Sequence, residues 1–320
     1  MTPGLKDLIG RAQRMFLIIH IDPDGDAIGS ALGLAYALSK MGKNCTLACA
    51  DPIPEAFSFL PGVQEFGAPK VADADLIIAV DDSDPSRFGE AYEHVLSLGI
   101  PVLNIDHHIT NSMFGTVNVV RTGAAATAEI VFDLLQDWGV PLDALVATYL
   151  LTGLVTDTRC FSTSSTTPHT LDVAAQLMTA GASLSEITQN TFEKRGLATL
   201  RLWGRILDHT QLDGQLVWSI NTLDMQNLCQ AQSDDGDGIV NLLATAREAK
   251  AAIVFKEKDK GQIEISIRSR PGVDISPIAV YFGGGGHPQA AGSMLRGNLE
   301  QIIPKVLTKA KEVLDSRQDQ

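Results

Sequence analysis

The residues whose types and spacing favour chemistry begin with a short segment near the start of the chain. His20, Asp22, Asp24 and Asp26 place one imidazole and three carboxylates within seven positions. Carboxylates this close together repel one another unless a cation neutralises them. Imidazole and carboxylate ligands together suit a divalent ion such as Mn²⁺. The segment therefore indicates one wall of a metal site, and the alternative is an exposed acidic turn.

Further acidic and histidine residues stand at the ends of apolar runs. They are Asp81 after residues 76–80, the triplet Asp106, His107 and His108 after residues 101–105, and Asp157 after residues 149–155. Taken singly, each has an ordinary alternative, such as a helix cap, a histidine of the core or surface, or an acid at a helix end. Their joint occurrence at several segment ends favours a shared site.

The elements that must position these residues can be read from the pattern of apolar segments. Buried strands at about residues 15–19, 44–50, 76–80 and 101–105 alternate with helical segments, which predicts parallel βαβ units. The ends of parallel strands meet at one edge of the sheet, where ligands bind. Two ions ~3.5–4 Å apart at such an edge could hold a phosphate and generate hydroxide. Residues 85–98 are predicted to form one of these helices. Helical periodicity then dominates from about residue 124 to 209, with one long helical pattern over residues 184–209, and a smaller α/β region follows.

The second half contains a possible anion-binding segment. Four consecutive glycines, Gly283–Gly286, precede His287. Glycine lets backbone N–H groups approach and cradle an anion, and the alternative is a flexible loop. Arg268 and Arg270, on or just after a predicted strand, could bind a phosphate, or they could be solvated charges at a sheet edge.

Composition and charge restrict the function further. The chain has 320 residues, 45% of them apolar, and a formal net charge of −13, which argues against a long duplex-DNA partner. The four cysteines show no zinc-ligand spacing and indicate a reducing compartment. Neither a signal peptide nor an apolar span of ~20 residues is found. We therefore expect a cytoplasmic protein without a membrane partner.

The order of these motifs resembles that of the DHH/DHHA1 phosphoesterase family. The motifs H-x-x-x-D-x-D, an Asp-ended strand, D-H-H, T-D-T and G-G-G-G-H follow one another over roughly residues 10–315. The resemblance is closest to the branch of oligoribonucleases that are also pAp phosphatases, pAp being 3′-phosphoadenosine 5′-phosphate. D-H-H alone would be a weak signal, whereas the ordered set is specific.

The resemblance implies an α/β fold of two domains with the active site in the cleft between them. The expected parts are an N-terminal DHH domain at residues 1–186, with a mainly parallel sheet flanked by helices, a helical linker at residues 187–210, and a smaller C-terminal DHHA1 domain at residues 211–316. A homodimer is also possible by this likeness.

The resemblance also implies residue roles. One Mn²⁺ would be held by His20, Asp24, Asp81 and Asp157, and the other by Asp26, Asp81 and His107, with Asp81 bridging. Mg²⁺ or Co²⁺ are possible substitutes. The predicted catalytic residues are Asp106 and His108, and His108 would contact the scissile phosphate. The predicted substrate-binding set is Arg268, Ser269, Gly284, Gly285, Gly286 and His287. Asp82 and Arg159 depart from the commonest family pattern, which has Thr and Gly at these positions.

The expected reaction is hydrolysis of short RNA oligonucleotides to mononucleotides and of pAp to AMP. One alternative is a phosphodiesterase for linear dinucleotides such as pApA or pGpG. A second alternative is a nucleotide-binding sensor without activity. An exonuclease for long strands is disfavoured by the size and charge of the chain.

Overall fold

A computed structural model of the protein describes residues 4–71, 73–258 and 261–315. The chain divides into two compact units, Met1–Lys194 and Arg195–Gln320. The predicted domain limits at residues 1 and 316 lie outside the described residues, and the limits at 186 and 211 stay predictions. Within the described part of the chain, no helix has the length and apolar character needed to cross a lipid bilayer.

A five-stranded sheet forms the centre of the first unit. Its strands are β1 (Arg14–Ile18), β2 (Asn44–Ala48), β3 (Leu76–Val80), β4 (Val102–Asp106) and β5 (Val117–Val120). They lie in the order β2-β1-β3-β4-β5, and every pair is parallel, as predicted. Strands β3 and β4 are buried along their whole length. Burial on both faces explains the continuous apolar run of β3, whereas β4 also buries the polar residues Asn104 and Asp106.

Helices flank the sheet of the first unit. Those that the structure describes are α1 (Leu5–Arg11), α2 (Gly25–Lys40), α3 (Tyr92–Ser97), α4 (Thr127–Asp137), α5 (Ala144–Asp157), α6 (Pro168–Thr179) and α7 (Leu184–Thr188). Alternate residues of β1 enter different cores, with Leu17 in the larger cluster and Phe16 in a smaller one that contains Phe88. The two-residue period of a strand therefore serves both faces of the sheet.

Two predicted helical segments are interrupted. Residues 85–98 form a 3₁₀ segment, Pro85–Ala91, with a kink at Gly89 where φ is 70°, and only then α3. The long pattern over residues 184–209 contains α7 and a π-helical turn, Gln189–Glu193, and it breaks where Lys194 is extended. A helical periodicity in the sequence does not reveal such a local change of backbone direction.

Helices α2 and α5 pack unusually closely, which brings the start of one next to the end of the other. A β-carbon added at Gly29 of α2 would lie 2.3 Å from the carbonyl oxygen of Tyr149, and one added at Gly153 of α5 would lie 2.6 Å from Oδ1 of Asp26. Only glycine permits this approach. The packing therefore places the first turn of α2 against the last turns of α5.

The second unit is a smaller α/β unit, as predicted, and its sheet is mixed. Its strands are β6 (Gln211–Asp213), β7 (Leu216–Asn221), β8 (Ala251–Lys258), β9 (Gln262–Ser269), β10 (Gly285–His287) and β11 (Ala290–Arg296). Its described helices are α8 (Leu197–Asp208), α9 (Leu223–Cys229), α10 (Ile239–Leu243), α11 (Ser276–Tyr281) and α12 (Leu299–Asp315). The sheet order is β10-β11-β9-β8-β7-β6, and only β7 and β8 pair in parallel among these described strands.

Candidate metal centre

The predicted metal ligands and the second histidine of the D-H-H motif come from strand ends and helix ends in the first unit. They are His20 after β1, Asp24 and Asp26 at the start of α2, Asp81 after β3, His107 and His108 after β4, and Asp157 at the end of α5. The three strand ends share one edge of the parallel sheet, the usual ligand-binding edge of open α/β folds. The fold therefore brings together residues that are far apart in the sequence.

Asp81 lies at the centre of the arrangement, and its two carboxylate oxygens face different partners. Oδ2 is 3.8 Å from Nε2 of His20. Oδ1 is 3.7 Å from Nε2 of His107 and 3.7 Å from Nδ1 of His108. Asp81 is almost fully buried, and its φ of 62° is a left-handed conformation that is costly for a residue with a side chain. The strand end is thus shaped to present one carboxylate in two directions.

The ligand atoms form groups of three in which every pair lies within 4.8 Å. The groups are His20 with Asp24 and Asp81, Asp26 with His107 and Asp157, and Asp81 with His107 and His108. Asp157 departs from the division that the resemblance implies. It is expected beside His20 and Asp24, whereas its Oδ2 lies 3.4 Å from Nε2 of His107.

Hydrogen bonds to α4 fix two of the carboxylates. The backbone N–H groups of Thr127 and Ala128 donate to Asp26 at 2.6 and 2.9 Å, so Asp26 caps the N-terminus of α4. The hydroxyl of Thr127 donates to Oδ1 of Asp81 at 2.8 Å. Thr127 is absent from the set of residues predicted from the sequence, where its local signal is only a hydroxyl residue early in a helical segment.

The imidazole of His20 is held in the tautomer that suits a metal ligand. Its Nδ1 donates to the carbonyl of Ile21 at 2.6 Å, because a carbonyl can only accept. The N–H of Ile21 donates in turn to the carbonyl of Arg87 at 2.8 Å. Nε2 of His20 is left to face Asp24 at 4.0 Å and Asp81 at 3.8 Å.

The electrostatics of the cluster show a shortage of positive charge. Burial raises the pKa of Asp26 well above its usual range, and the charges of Asp81 and Asp157 raise it further. Burial also raises the pKa of Asp157 to about 7. Burial disfavours the charged form of His20 and His107, yet the surrounding carboxylates prevail and raise the pKa of each to about 9. Divalent cations would supply the missing charge, and the oxygen and imidazole donors fit such ions.

Asp106 lies behind His108 and outside the groups of ligand atoms. It is fully buried, and its Oδ1 is 2.6 Å from Nδ1 of His108, which donates. Oδ2 of Asp106 accepts from Nδ2 of Asn111 at 2.6 Å. The prediction that Asp106 is itself catalytic does not fit this place, since its oxygens face His108 and Asn111. Its geometry is that of a residue that positions His108.

Asp82, the first departure from the family pattern, is fully buried beside Asp81. Neither of its carboxylate oxygens has a hydrogen-bond partner among the described residues. Nε of Arg87 lies 3.9 Å from Oδ1. Burial raises the pKa of Asp82 to about 8 despite the charges of His20 and Arg87. A protonated Asp82 adds little negative charge to the cluster.

Arg159, the second departure, begins a left-handed turn after Thr158, the C-cap residue of α5. Arg159, Cys160 and Phe161 have φ values of 47°, 56° and 62°. Such angles favour glycine, the residue that the family resemblance leads us to expect at the first of these positions. The strain lies two residues after Asp157.

The predicted substrate-binding residues Arg268 and Ser269 have partners inside the second unit. Nε of Arg268 donates to Oδ1 of Asn241 at 3.1 Å, and Nη1 donates to the carbonyl of Ile267 at 2.9 Å. The hydroxyl of Ser269 donates to the carbonyl of Val273. These bonds fix both side chains, and their role in substrate binding stays a prediction.

The glycine segment is not the flexible loop that was the alternative to an anion-binding segment. Gly285–His287 form β10, which pairs with β11. Gly286 has a φ of 138°, and a β-carbon there would lie 2.4 Å from the carbonyl oxygen of Ala290. Close strand packing therefore requires glycine at this position. The side chain of His287 lies outside the described part of the structure.

A parallel α/β unit with a His/Asp cluster at its strand ends, followed by a smaller mixed-sheet unit, defines a two-domain class that known proteins share. Residues 14–154 match the DHH family, N-terminal domain, and residues 229–316 match the DHHA1 domain. The chain therefore belongs to the DHH/DHHA1 family, as its motif order predicts.

Named relatives cover nearly the whole chain. The bifunctional oligoribonuclease and PAP phosphatase NrnA of Thermus thermophilus is 38% identical over 309 residues, which is 94% of this chain and 90% of that protein. The cyclic-di-AMP phosphodiesterase PdeA of Listeria monocytogenes is 25% identical over 92% of this chain and 47% of that protein. An exopolyphosphatase-related protein from Bacteroides fragilis has the same fold, with a TM-score of 0.91, 24% identity and coverage of 96% of this chain and 94% of that one.

Proposed function

We propose that the protein is a metal-dependent phosphoesterase that hydrolyses short RNA oligonucleotides to mononucleotides and pAp to AMP. The observation that carries the proposal is the position of Asp81, whose oxygens lie 3.8 Å from His20 on one side and 3.7 Å from His107 on the other. A carboxylate shared by two cations is a recurring arrangement in phosphoester hydrolysis. The substrates are supported by the name of the relative that is 38% identical.

Two Mn²⁺ ions are the proposed cofactors, with Mg²⁺ or Co²⁺ as substitutes. His20, Asp24 and Asp81 would hold one ion. Asp26, Asp81 and His107 would hold the other, and Asp157 is assigned to this second group because it lies beside His107. Bound ions of this kind neutralise phosphate charge and lower the pKa of water.

His108 is the residue proposed to touch the scissile phosphate. Nδ1 of His108 donates to Asp106 at 2.6 Å, and Nε2 is the second N–H donor of a charged imidazole. Burial opposes charging of His108, but the hydrogen bond to Asp106 and the charge of Asp81 prevail and raise its pKa. A protonated His108 can donate to a phosphate oxygen and stabilise the charge that develops there.

The second unit is proposed to bind the nucleotide or terminal phosphate of the substrate. The residues are Arg268, Ser269, Gly284, Gly285, Gly286 and His287. The net charge of −13 opposes long polyanions and favours substrates of a few nucleotides. We also propose domains at residues 1–186 and 211–316 joined by a linker at 187–210, a homodimeric assembly and a cytoplasmic location.

Hydrolysis of linear dinucleotides such as pApA or pGpG is a second candidate function. It is favoured by the relative named as a cyclic-di-AMP phosphodiesterase, although this chain spans only 47% of that protein. The cluster of ligands is compatible with either substrate, because both reactions break a phosphoester bond. A substrate panel is therefore needed to rank them.

The test begins with metal-free protein and a titration with MnCl₂. We would measure product release from labelled RNA of two to five nucleotides, pAp, pApA and pGpG. Manganese-dependent release of mononucleotides and AMP, absent in Asp81→Ala and retained in Asp22→Asn, is the expected result. Binding of these nucleotides without turnover would contradict the proposal and favour a sensor. A preference for pApA or pGpG of more than about tenfold in kcat/KM would favour the second candidate.

A further inference from the structure

The side chain of Asn111 joins three segments that surround the D-H-H triplet. Its Nδ2 lies 2.6 Å from Oδ2 of Asp106, 2.8 Å from Oδ1 of Asn104 and 3.1 Å from the carbonyl of Asp82. Its Oδ1 accepts from the backbone N–H of Met113 at 2.7 Å. An amide nitrogen has only two hydrogens, so these three acceptors compete. The carboxylate of Asp106 is the nearest, and a charged acceptor makes the stronger bond.

Asp106 depends on Asn111 for one of its two oxygens. The carboxylate is fully buried, and a buried carboxylate oxygen without a donor is costly. His108 serves Oδ1 at 2.6 Å and Asn111 serves Oδ2 at 2.6 Å. With both oxygens engaged, the plane of the carboxylate is fixed, and so is the imidazole that bonds to it. The chain of contacts thus runs from Asn111 through Asp106 to His108.

The carbonyl of Asp82 does not depend on Asn111 in the same way. Nδ2 of Asn104, which is itself fully buried, donates to that carbonyl at 2.9 Å. When Asn111 is removed, the carbonyl of Asp82 therefore keeps a hydrogen-bond donor. The segment after β3, which carries Asp81, stays held by that bond. Oδ2 of Asp106 and Oδ1 of Asn104 have no second donor among the described hydrogen bonds, and of these two acceptors Asp106 is the one bonded to His108.

We propose that Asn111 is a positioning residue that fixes the orientation of His108 through Asp106. The inference rests on the proposed function, since it assigns Asn111 to the same phosphoester chemistry. The hydrogen bonds of the Asn111 side chain reach Asp106, Asn104 and the carbonyl of Asp82 but not the metal-ligand side chains or the ring of His108. The backbone N–H of Asn111 donates to the carbonyl of His108 at 3.2 Å, and Asn111→Ala keeps this bond. Its effect is on how often His108 presents Nε2 in the productive direction.

The chain offers a closely matched control in Asn118. This residue has the same type and the same intermediate burial as Asn111. It also stabilises the loop after the triplet, because the N–H of Gly115 donates to its Oδ1 at 2.9 Å and its Nδ2 donates to the carbonyl of Gly115 at 2.8 Å. Its hydrogen bonds within the described structure stay in this loop and do not reach Asp106 or His108. Asn118→Ala therefore measures the cost of loosening the loop alone.

The kinetic test uses the full chain with Mn²⁺ and pAp, and four variants: Asn111→Ala, Asn118→Ala, His108→Ala and the double variant Asn111→Ala/His108→Ala. We expect Asn111→Ala to lower kcat by about 10- to 100-fold with KM changed by less than about twofold. Asn118→Ala should keep kcat within about twofold. In the His108→Ala background, loss of Asn111 should cost less than about twofold, because residues that act as a unit are not additive.

A second measurement needs no turnover. In protein with ¹⁵N-labelled histidine, His108 should show the proton on Nδ1, and Asn111→Ala should shift that resonance while Asn118→Ala leaves it unchanged. Three outcomes would each overturn the positioning role of Asn111. They are an unchanged His108 signal in Asn111→Ala, a loss of kcat in Asn118→Ala equal to that in Asn111→Ala, and a loss of kcat on removal of Asn111 that is the same with and without His108. Wild-type protein that hydrolyses nothing would refute the proposed function alone, because the histidine signal still decides the role of Asn111.

Discussion

The ligand cluster of the first unit and the glycine segment of the second unit differ in whether the needs of folding account for the residue types found there. In the second unit, Gly286 is needed by the pairing of β10 with β11, and Ser269 has a carbonyl partner. In the first unit, Asp81 and Asp157 are brought beside the buried Asp26, whose pKa is raised first by burial and further by their charges. Folding gains nothing from this repulsion. A cluster that costs stability is a stronger sign of function than a segment with structural uses of its own.

The largest effect that this comparison predicts belongs to Asp81→Ala. The variant removes the carboxylate that faces both groups of ligands, and we expect kcat to fall on the order of 1,000-fold. The fold should remain intact, because the side chain contributes one hydrogen bond from Thr127. Circular dichroism checks the fold, and pAp hydrolysis checks the rate. Full activity in the variant would remove the basis of the metal centre.

Addition of divalent metal should stabilise the first unit and leave the second unchanged. Ions that bind only the folded state stabilise it by about 2.7 kcal/mol at a concentration of 100 Kd. Scanning calorimetry of metal-free protein with and without MnCl₂ measures the change, and Asp81→Ala should gain less. Equal stabilisation of the wild-type protein and the variant would show that the ions bind elsewhere.

Substitution of Gly286 by alanine tests the structural explanation of the glycines in the second unit. Its φ of 138° and the nearby carbonyl of Ala290 predict a loss of about 1–3 kcal/mol in the free energy of unfolding. A β-carbon added at Gly285 would meet only open space, so Gly285→Ala should change stability by less than about 0.5 kcal/mol. Denaturant unfolding distinguishes the two. Equal effects would mean that strand packing does not explain the glycines.

The smallest effect is expected within the first ligand segment itself. Asp22 is exposed and left-handed, with a φ of 52°, a conformation that asparagine tolerates well. Asp22→Asn should keep kcat within about twofold, whereas Asp24→Asn should lower it by at least about tenfold. Equal losses in the two variants would contradict the assignment of Asp24, but not Asp22, to the metal.

The sequence revealed the parallel sheet and the residue types at its strand ends, because apolar runs and the polar residues that follow them are local signals. It did not reveal Thr127 or Asn111. The bond between Asp26 and Thr127 joins residues 101 positions apart, and no local pattern marks such a contact. The sequence also did not reveal that Asp157 lies beside His107, because that contact depends on side-chain geometry. The kink at Gly89 depends on a single φ angle.

The capping of α4 by Asp26 has a consequence for the order of events during synthesis. His20, Asp24 and Asp26 leave the ribosome first, but the donors that hold Asp26 are at Thr127 and Ala128. The last acid of the cluster, Asp157, ends α5. A nascent chain shorter than this carries an incomplete and unsupported set of ligands. We therefore expect metal to be loaded late in the maturation of the first unit.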